Sequence, residues 1–309
     1  MHLRFAEAVL PGHPDKLADQ IADAIVDIAI IADPRAIVQV EVAVHERSCH
    51  VNGRCSTAGQ PLDRDFVEAT IRAVYERAGF GVPFPEVGDD YQCPPGADVD
   101  LQLACTIDAA DPAESAEREH TDDQAIHVGY AVGTPETRWL PLEQHLALTL
   151  RDRLLEFTAT ERALGAGPDG KLLVALRPAG GTRWAPAWVV TSVQHLEHAP
   201  TVRLERAVRS LILATLAEEA SRMPDLLAPP DADCAVPVNE SGVFTDGGPM
   251  NDNGQTGGSS CAISTGRTSR SAVERFRERT RGGSIGPAHC ARGRSRWRWW
   301  RRGSYVRRV

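Results

Sequence analysis

Lysine is nearly missing from this chain: only Lys16 and Lys171 occur among 34 basic residues, and all the others are arginine. A GC-rich coding sequence favours arginine, so the two positions that stayed lysine are candidates for a compact ammonium that a guanidinium cannot replace. No apolar run reaches membrane-spanning length, and the start, Met-His-Leu-Arg-Phe-Ala-Glu, lacks the apolar segment of a secretory signal. Both absences point to a cytoplasmic protein with no membrane partner. The seven cysteines are odd in number, scattered and never spaced C-x-x-C, so neither a disulfide framework nor a zinc site is indicated and reduced thiols are expected.

What is present is a chain of 309 residues, long enough for two or three domains, whose net charge of −8 hides a split. Residues 258–309 carry 14 arginines against Glu274 and Glu278, while the preceding residues hold the other 20 basic and 40 acidic side chains. Two compositions are joined near Gly257.

The stretch richest in chemistry is Pro11-Gly12-His13-Pro14-Asp15-Lys16, which runs straight into Leu-Ala-Asp-Gln-Ile-Ala-Asp-Ala-Ile-Val-Asp. Leu17, Ile21, Ala24, Ile25 and Ile28 keep one helical face, and Pro14 sits where a first-turn proline loses no hydrogen bond. His13, Asp15 and Lys16 therefore gather at a helix N-terminus, whose unpaired N–H groups and positive dipole suit a metal-bound polyphosphate. The same pattern also serves a plain capped surface helix.

After this helix, Ala36 to Val44 alternates, with Val38, Val40, Val42 and Val44 on one face and Glu41 on the other. Asn52-Gly53 then carries a tight-turn signal, which predicts a hairpin there. A helix is expected over Asp63 to Ala78, stopping at Gly79, and residues 80–100 read as a loop. From about residue 113 a second block places Asp123-Gln124 in a polar, glycine-containing stretch, then an amphipathic helix over Leu142 to Glu156. Pro168-Asp169-Gly170-Lys171 reads as a turn into a strand over Leu172 to Leu176, followed by a strand over Ala187 to Gln194 and a helix from Thr201 to about Ala220. Two strands and then a helix thus occur twice. A third block opens at Cys234 and leads through Phe244 to GGPMNDNGQTG, a Gly- and Asp-rich loop able to bring backbone close to a ligand. The implied divisions are 1–112, 113–231 and 232–257, with an Arg-rich tail over 258–309.

GHPDKLADQIADAIVD, DDQAIHVGYA, PDGK and GGPMNDNGQTG, in this order and spacing, resemble the S-adenosylmethionine synthetase (methionine adenosyltransferase) family over residues 1–257. The resemblance implies an α/β (α+β) fold of three related domains, each a small sheet with helices, in pseudo-threefold arrangement and with the third truncated here. It also implies ATP and methionine as substrates, Mg2+ and K+ as cofactors, and a homodimer or homotetramer with sites between subunits. Carried over by position, His13 donates to the triphosphate oxygen nearest the leaving bond, with Lys16 and Lys171 on the phosphates. Asp15 holds Mg2+ and Glu41 ligates K+. Asp123, Asp169, Asp252, Phe244 and Gln102 form the ATP and methionine sites, and His195 is structural. Without the family context, Glu41 reads as a solvated strand carboxylate and Asp169 as a turn residue.

The chain also departs from the pattern. Arg54 falls where the family carries a glutamate for the methionine ammonium, and Val243 replaces a basic residue before Phe244. Gly258-Ser259 stand in place of an Arg-Lys pair. Reading each codon from 258 one base early, with permitted third bases, gives RKLVRDFYGPHVPI and then, over residues 271–281, GGGALSGKDP. That recovers the missing pair and a Gly-rich phosphate motif, and predicts that a single-base slip near Gly257 put the tail out of frame. The competing reading is functional: Arg296-Trp297-Arg298-Trp299-Trp300-Arg301-Arg302 interleaves cations with aromatic faces, as single-stranded nucleic acid or an anionic membrane surface would require.

Overall fold

The computed structural model describes residues 3–57, 62–87, 89–93, 101–109 and 130–258. Helix α1 (Pro14–Ala32) begins where the sequence places it, and Leu17, Ala18, Ile21, Ala22 and Ile25 are fully buried. It is enclosed on more than one side because it packs on strand β2 (Ile37–His45) and on helix α2 (Arg64–Ala78), and the small Ala18 and Ala22 permit close approach. Each fully buried Leu or Ile contributes roughly 1.5–3 kcal/mol of transfer free energy. Helix α2 starts at Asp63, whose carboxylate accepts from Phe66 N, and ends at Gly79 with φ of 109°. Both are the stop and start signals of its sequence.

Strand β2 buries Val38, Val40, Val42 and Val44 and leaves Glu41 exposed, as the alternation requires. The expected turn at Asn52-Gly53 is not there. Strand β3 (Ser48–Ser56) runs through both residues in antiparallel register with β2, and the chain reverses instead at Glu46, with φ of 49°. A Cβ at Gly53 would lie 1.9 Å from Gln39 O, so this glycine is needed for close strand approach. Within the region read as a loop, Pro83–Phe84 (β4) and Asp89–Gln92 (β5) form a short antiparallel pair.

Helix α3 (Leu142–Thr160), strands β7 (Ala166–Pro178) and β8 (Trp184–His195), and helix α4 (Thr201–Arg222) repeat the order helix, hairpin, helix seen in α1, β2, β3 and α2. The Pro168-Asp169-Gly170-Lys171 segment lies inside β7 rather than before it. Its register with β8 shifts between Ala166 and Gly170, because Pro168 has no N–H to give and the strand bulges there.

Strand pairing runs across the sequence blocks. The N-terminal strand β1 (Arg4–Val9) pairs with β7, giving a sheet ordered β1-β7-β8, and Ala235 and Val238 extend it by parallel bridges to Trp188 and Thr191. The other sheet is ordered β6-β3-β2-β9, where β6 is Gln102–Ala109 and β9 is Gly254–Gln255. The fold is α+β, with two apolar cores, one under each principal sheet. Among the described residues no helix is long and apolar enough to cross a membrane. Cys49, Cys55, Cys93, Cys105 and Cys234 are free thiols, and burial pushes Cys49 and Cys93 up to about 12.

Candidate active site

Three of the motifs singled out by sequence meet at the start of α1. Beyond the β1–β7 pairing, Leu10 N donates to Gly170 O at 2.8 Å and Gly12 N donates to Pro168 O at 3.1 Å. A Cβ on Gly12 would come within 2.5 Å of that carbonyl oxygen, so only glycine lets the PGHPDK turn lie against the PDGK bulge. The Gly-rich loop then closes over both. Gly248, at φ of 60°, donates its N–H to Asp169 Oδ2 at 2.7 Å, and a Cβ there would lie 2.3 Å from the Phe80 ring.

His13 is the N-cap residue of α1, but its side chain makes no capping bond. Its Nδ1 is buried and has no hydrogen-bond partner among the described residues. Such an atom is costly unless something supplies a partner. Lys16 is buried in the first turn. Asp169 is buried too, and burial pushes its carboxyl above the ordinary range, an effect opposed by the Gly248 N–H and by the charge of His13, and reinforced by Asp252. His13, Asp169 and Asp252 therefore share one electrostatic environment. Asp252 itself is exposed, and its carboxylate accepts from Asn253 N at 2.8 Å.

The two residues assigned to metals both hold the end of the Gly-rich loop. Asp15 Oδ1 accepts from Gln255 N at 3.1 Å, and Glu41 accepts the hydroxyl of Thr256, whose backbone N donates to Val42 O at 2.9 Å. Among the described residues no group of three His, Cys, Asp or Glu side chains is placed to hold a metal ion. Asp15 alone suits a Mg2+ carried in by phosphates, since that ion commonly keeps one or two carboxylates plus substrate oxygens and water. For K+ the described residues offer the Glu41 carboxylate, with the Thr256 hydroxyl against it.

The remaining candidates are more dispersed. Lys171 lies on the outward face of the β1-β7-β8 sheet, its ammonium 2.9 Å from Glu7 Oε2. Phe244 is half-buried and is tied to His195, which accepts from Phe244 N at Nε2 (3.2 Å) and faces Leu196 O with Nδ1 (3.0 Å). Both His195 nitrogens are thus occupied by backbone, as a structural histidine requires. Gln102 starts β6 opposite Ser48, whereas Arg54 stands at the other end of β3, opposite Gln39 on one side and Asp108 on the other. Asp123 lies outside the described residues.

Sequence reasoning missed two supports. Asp19, one turn beyond Asp15, accepts Gly257 N at 3.0 Å, and the i, i+4 spacing was the available signal. Gln194 is almost fully buried, accepts Asp169 N at 3.2 Å and donates to Thr245 O at 3.0 Å, clamping the bulge to the Gly-rich loop. A lone amide in a strand gives no such signal.

The fold and site define an α+β protein of interleaved small sheets in which distant loops are drawn to one helix N-terminus. Residues 2–86 match the S-adenosylmethionine synthetase N-terminal domain. The S-adenosylmethionine synthase of Thermus thermophilus is 34% identical over 265 residues, covering 83% of this chain and 64% of that protein. That of Aquifex aeolicus is 32% identical over 259 residues, covering 83% and 63%. A solved structure described as an unusual S-adenosylmethionine synthetase from Campylobacter jejuni shares the fold with a TM-score of 0.66, at 24% identity, over 83% of this chain and 63% of its own. The chain belongs to the S-adenosylmethionine synthetase family as a divergent member. It spans under two thirds of the length of these relatives.

Proposed function

We propose that the chain descends from an ATP-dependent methionine adenosyltransferase and that its site is built for that reaction. The methionine sulfur attacks C5′ of ATP, the C5′–O5′ bond breaks, and the triphosphate leaves, to be hydrolysed to phosphate and pyrophosphate. A cationic sulfonium forms while negative charge collects on the leaving chain, so the main source of rate is fixed positive charge and hydrogen-bond donors aimed at that chain. The observation that carries this reading is the convergence of PGHPDK, PDGK and GGPMNDNGQTG at the N-terminus of α1, with the buried Nδ1 of His13 left for a ligand.

In this reading His13 donates to the leaving oxygen, Lys16 and Lys171 bind phosphates, and Asp169, Asp252, Asp123, Phe244 and Gln102 position the nucleotide and methionine. Mg2+ bound with the nucleotide at Asp15 supplies charge neutralisation, and Glu41 is the K+ residue. The protein works in the cytoplasm as a homodimer or homotetramer. The outward face of the β1-β7-β8 sheet supports assembly, since Phe5 and Val190 are 52% and 38% exposed there and Phe5 meets Trp188 in a tilted ring contact with centroids 5.9 Å apart. Methionine-dependent release of phosphate and pyrophosphate from ATP tests the reading, with His13→Asn expected to lower the rate about 10²–10³-fold. Equal rates with and without methionine would refute it.

A second reading is favoured by Arg54, which stands beside Asp108 on the outer face of the β6-β3-β2-β9 sheet. A cation there repels the ammonium of methionine, so the chain would bind nucleotide, or pair with an intact subunit, without transferring adenosyl. Nucleotide binding without methionine-dependent turnover is its signature.

A further inference from the structure

We infer that Gln194 is a positioning residue: its buried amide lays the Gly-rich loop on the PDGK bulge and so aims the Gly248 N–H at Asp169. The clamp stands on geometry alone, whereas its effect on a nucleotide rests on the adenosyltransferase reading above.

The end of β8 is a template for the chain that follows α4. Val193 N donates to Asn239 Oδ1 at 2.8 Å, and Asn239 Nδ2 returns a bond to Val193 O at 3.0 Å. His195 N donates to Phe244 O at 2.9 Å, and its Nε2 accepts from Phe244 N at 3.2 Å. Gln194 lies between these two attachments. Its Nε2 donates to Thr245 O at 3.0 Å, while its Oε1 accepts from Asp169 N at 3.2 Å. One amide thus joins β8, the bulge in β7 and the Gly-rich loop. Asp169 is held twice, at its N–H by Gln194 and at its carboxylate by Gly248 N (2.7 Å), and the chain from Thr245 to Gly248 closes the ring. Where Gly248 is set Asp252 follows, since Asp252 N donates to Gly248 O at 3.2 Å.

The amide fills a slot that two glycines, far apart in sequence, leave open. A Cβ on Gly167 would lie 2.8 Å from Gln194 Cδ, and one on Gly247 would lie 2.4 Å from it. Gly247 has φ of −128°, which any residue adopts, so space and not conformation calls for glycine there. Gln194 is 1% exposed, and its rotamer is fixed by this packing. An apolar side chain of the same length would fill the slot but leave Asp169 N–H and Thr245 O without this partner. The amide groups, not the bulk, therefore register the loop. A carboxylate fixed before its ligand arrives loses less freedom on binding, so the clamp favours the nucleotide that Asp169 and Asp252 position.

Hydrogen–deuterium exchange on the full chain compares the parent with Gln194→Met, which keeps the length and removes both polar groups. Peptides over 245–253 are expected to exchange about fivefold faster or more, with the middle of α1 unchanged. Equal exchange over 245–253 overturns the inference. Gly247→Ala reads the same slot from the other side with Gln194 intact. Its methyl should lower the melting temperature, and that loss should be smaller in a Gln194→Ala background, where the clash is gone. Strictly additive losses overturn the clamp. Calorimetric titration with ATP and Mg2+ reads the site, and Gln194→Met is expected to weaken binding about fivefold or more. Unchanged affinity overturns the positioning role. A parent that shows the clamp but binds no ATP refutes only the adenosyltransferase reading.

Discussion

Replacing Glu219 by Gln tests the electrostatic staple behind the sheet that carries the PDGK bulge. Glu219 on α4 meets His145 Nε2 of α3 at 2.7 Å and Arg222 Nη2 at 2.6 Å, and Arg222 also donates to Glu136 O at 2.8 Å. Burial works to raise the Glu219 carboxyl, but the hydrogen bonds and charges of His145 and Arg222 overcome it and hold it at about 2, down from 4.5. At about 1.4 kcal/mol per pH unit that displacement corresponds to roughly 3 kcal/mol. The Arg222 side chain is 44% exposed, so solvent screening leaves about 2 kcal/mol. Because the folded value is depressed, this stability is fully present above the unfolded value near 4.5 and is lost as pH falls toward 2. Glu219→Gln should therefore cost about 2 kcal/mol at pH 7, about half that at pH 3, and little at pH 2. Urea unfolding followed by tryptophan fluorescence reads this, since Trp184 and Trp188 lie in the adjoining strand β8. A variant within about 0.5 kcal/mol of the parent at pH 7, or one whose deficit does not shrink with acid, would refute the reasoning.

Three further outcomes follow from the site. Gly12→Ala places a methyl 2.5 Å from Pro168 O and should lower stability by about 2 kcal/mol or more, seen as a reduced melting temperature, because both partners are backbone. Asp169→Asn keeps an acceptor for Gly248 N but removes a buried charge whose carboxyl is pushed up. The parent loses stability as pH rises above the ordinary carboxylate range toward that raised value, so the variant should gain on it in thermal melts as pH rises above about 4, while losing adenosyl transfer. Thr256→Val removes the hydroxyl that Val42 N reaches at 3.1 Å and that Glu41 accepts, so amide exchange at Val42 should accelerate about fivefold or more, matching a loss of about 1 kcal/mol.

The local signals along this chain were honest about helices and faces and silent about partners. Leu17, Ile21 and Ile25 declare α1, the four valines declare β2, and Asp63 with Gly79 bounds α2, since each depends on near neighbours in sequence. Gly53 misled because one residue type answers two needs, a tight turn or an absent side chain, and only the facing Gln39 decides between them. The same holds for Pro168-Asp169-Gly170, which reads as a turn in isolation and is part of a strand, bulged at Pro168, whose carbonyls at Pro168 and Gly170 pair with Gly12 and Leu10.

Long-range closure is where composition became more informative than pattern. Asp15, Asp19 and Glu41 look like a polyphosphate and metal wall from their own segments, yet each accepts a hydrogen bond from the 255–257 strip. With Asp15 and Asp19 engaged by backbone N–H groups, the positive groups at the helix start are the Lys16 ammonium and a helix dipole of about half a unit charge. The 255–257 strip ends on Gly257, whose N–H is held by the Asp19 carboxylate. Gly257 is also the position at which the chain changes composition.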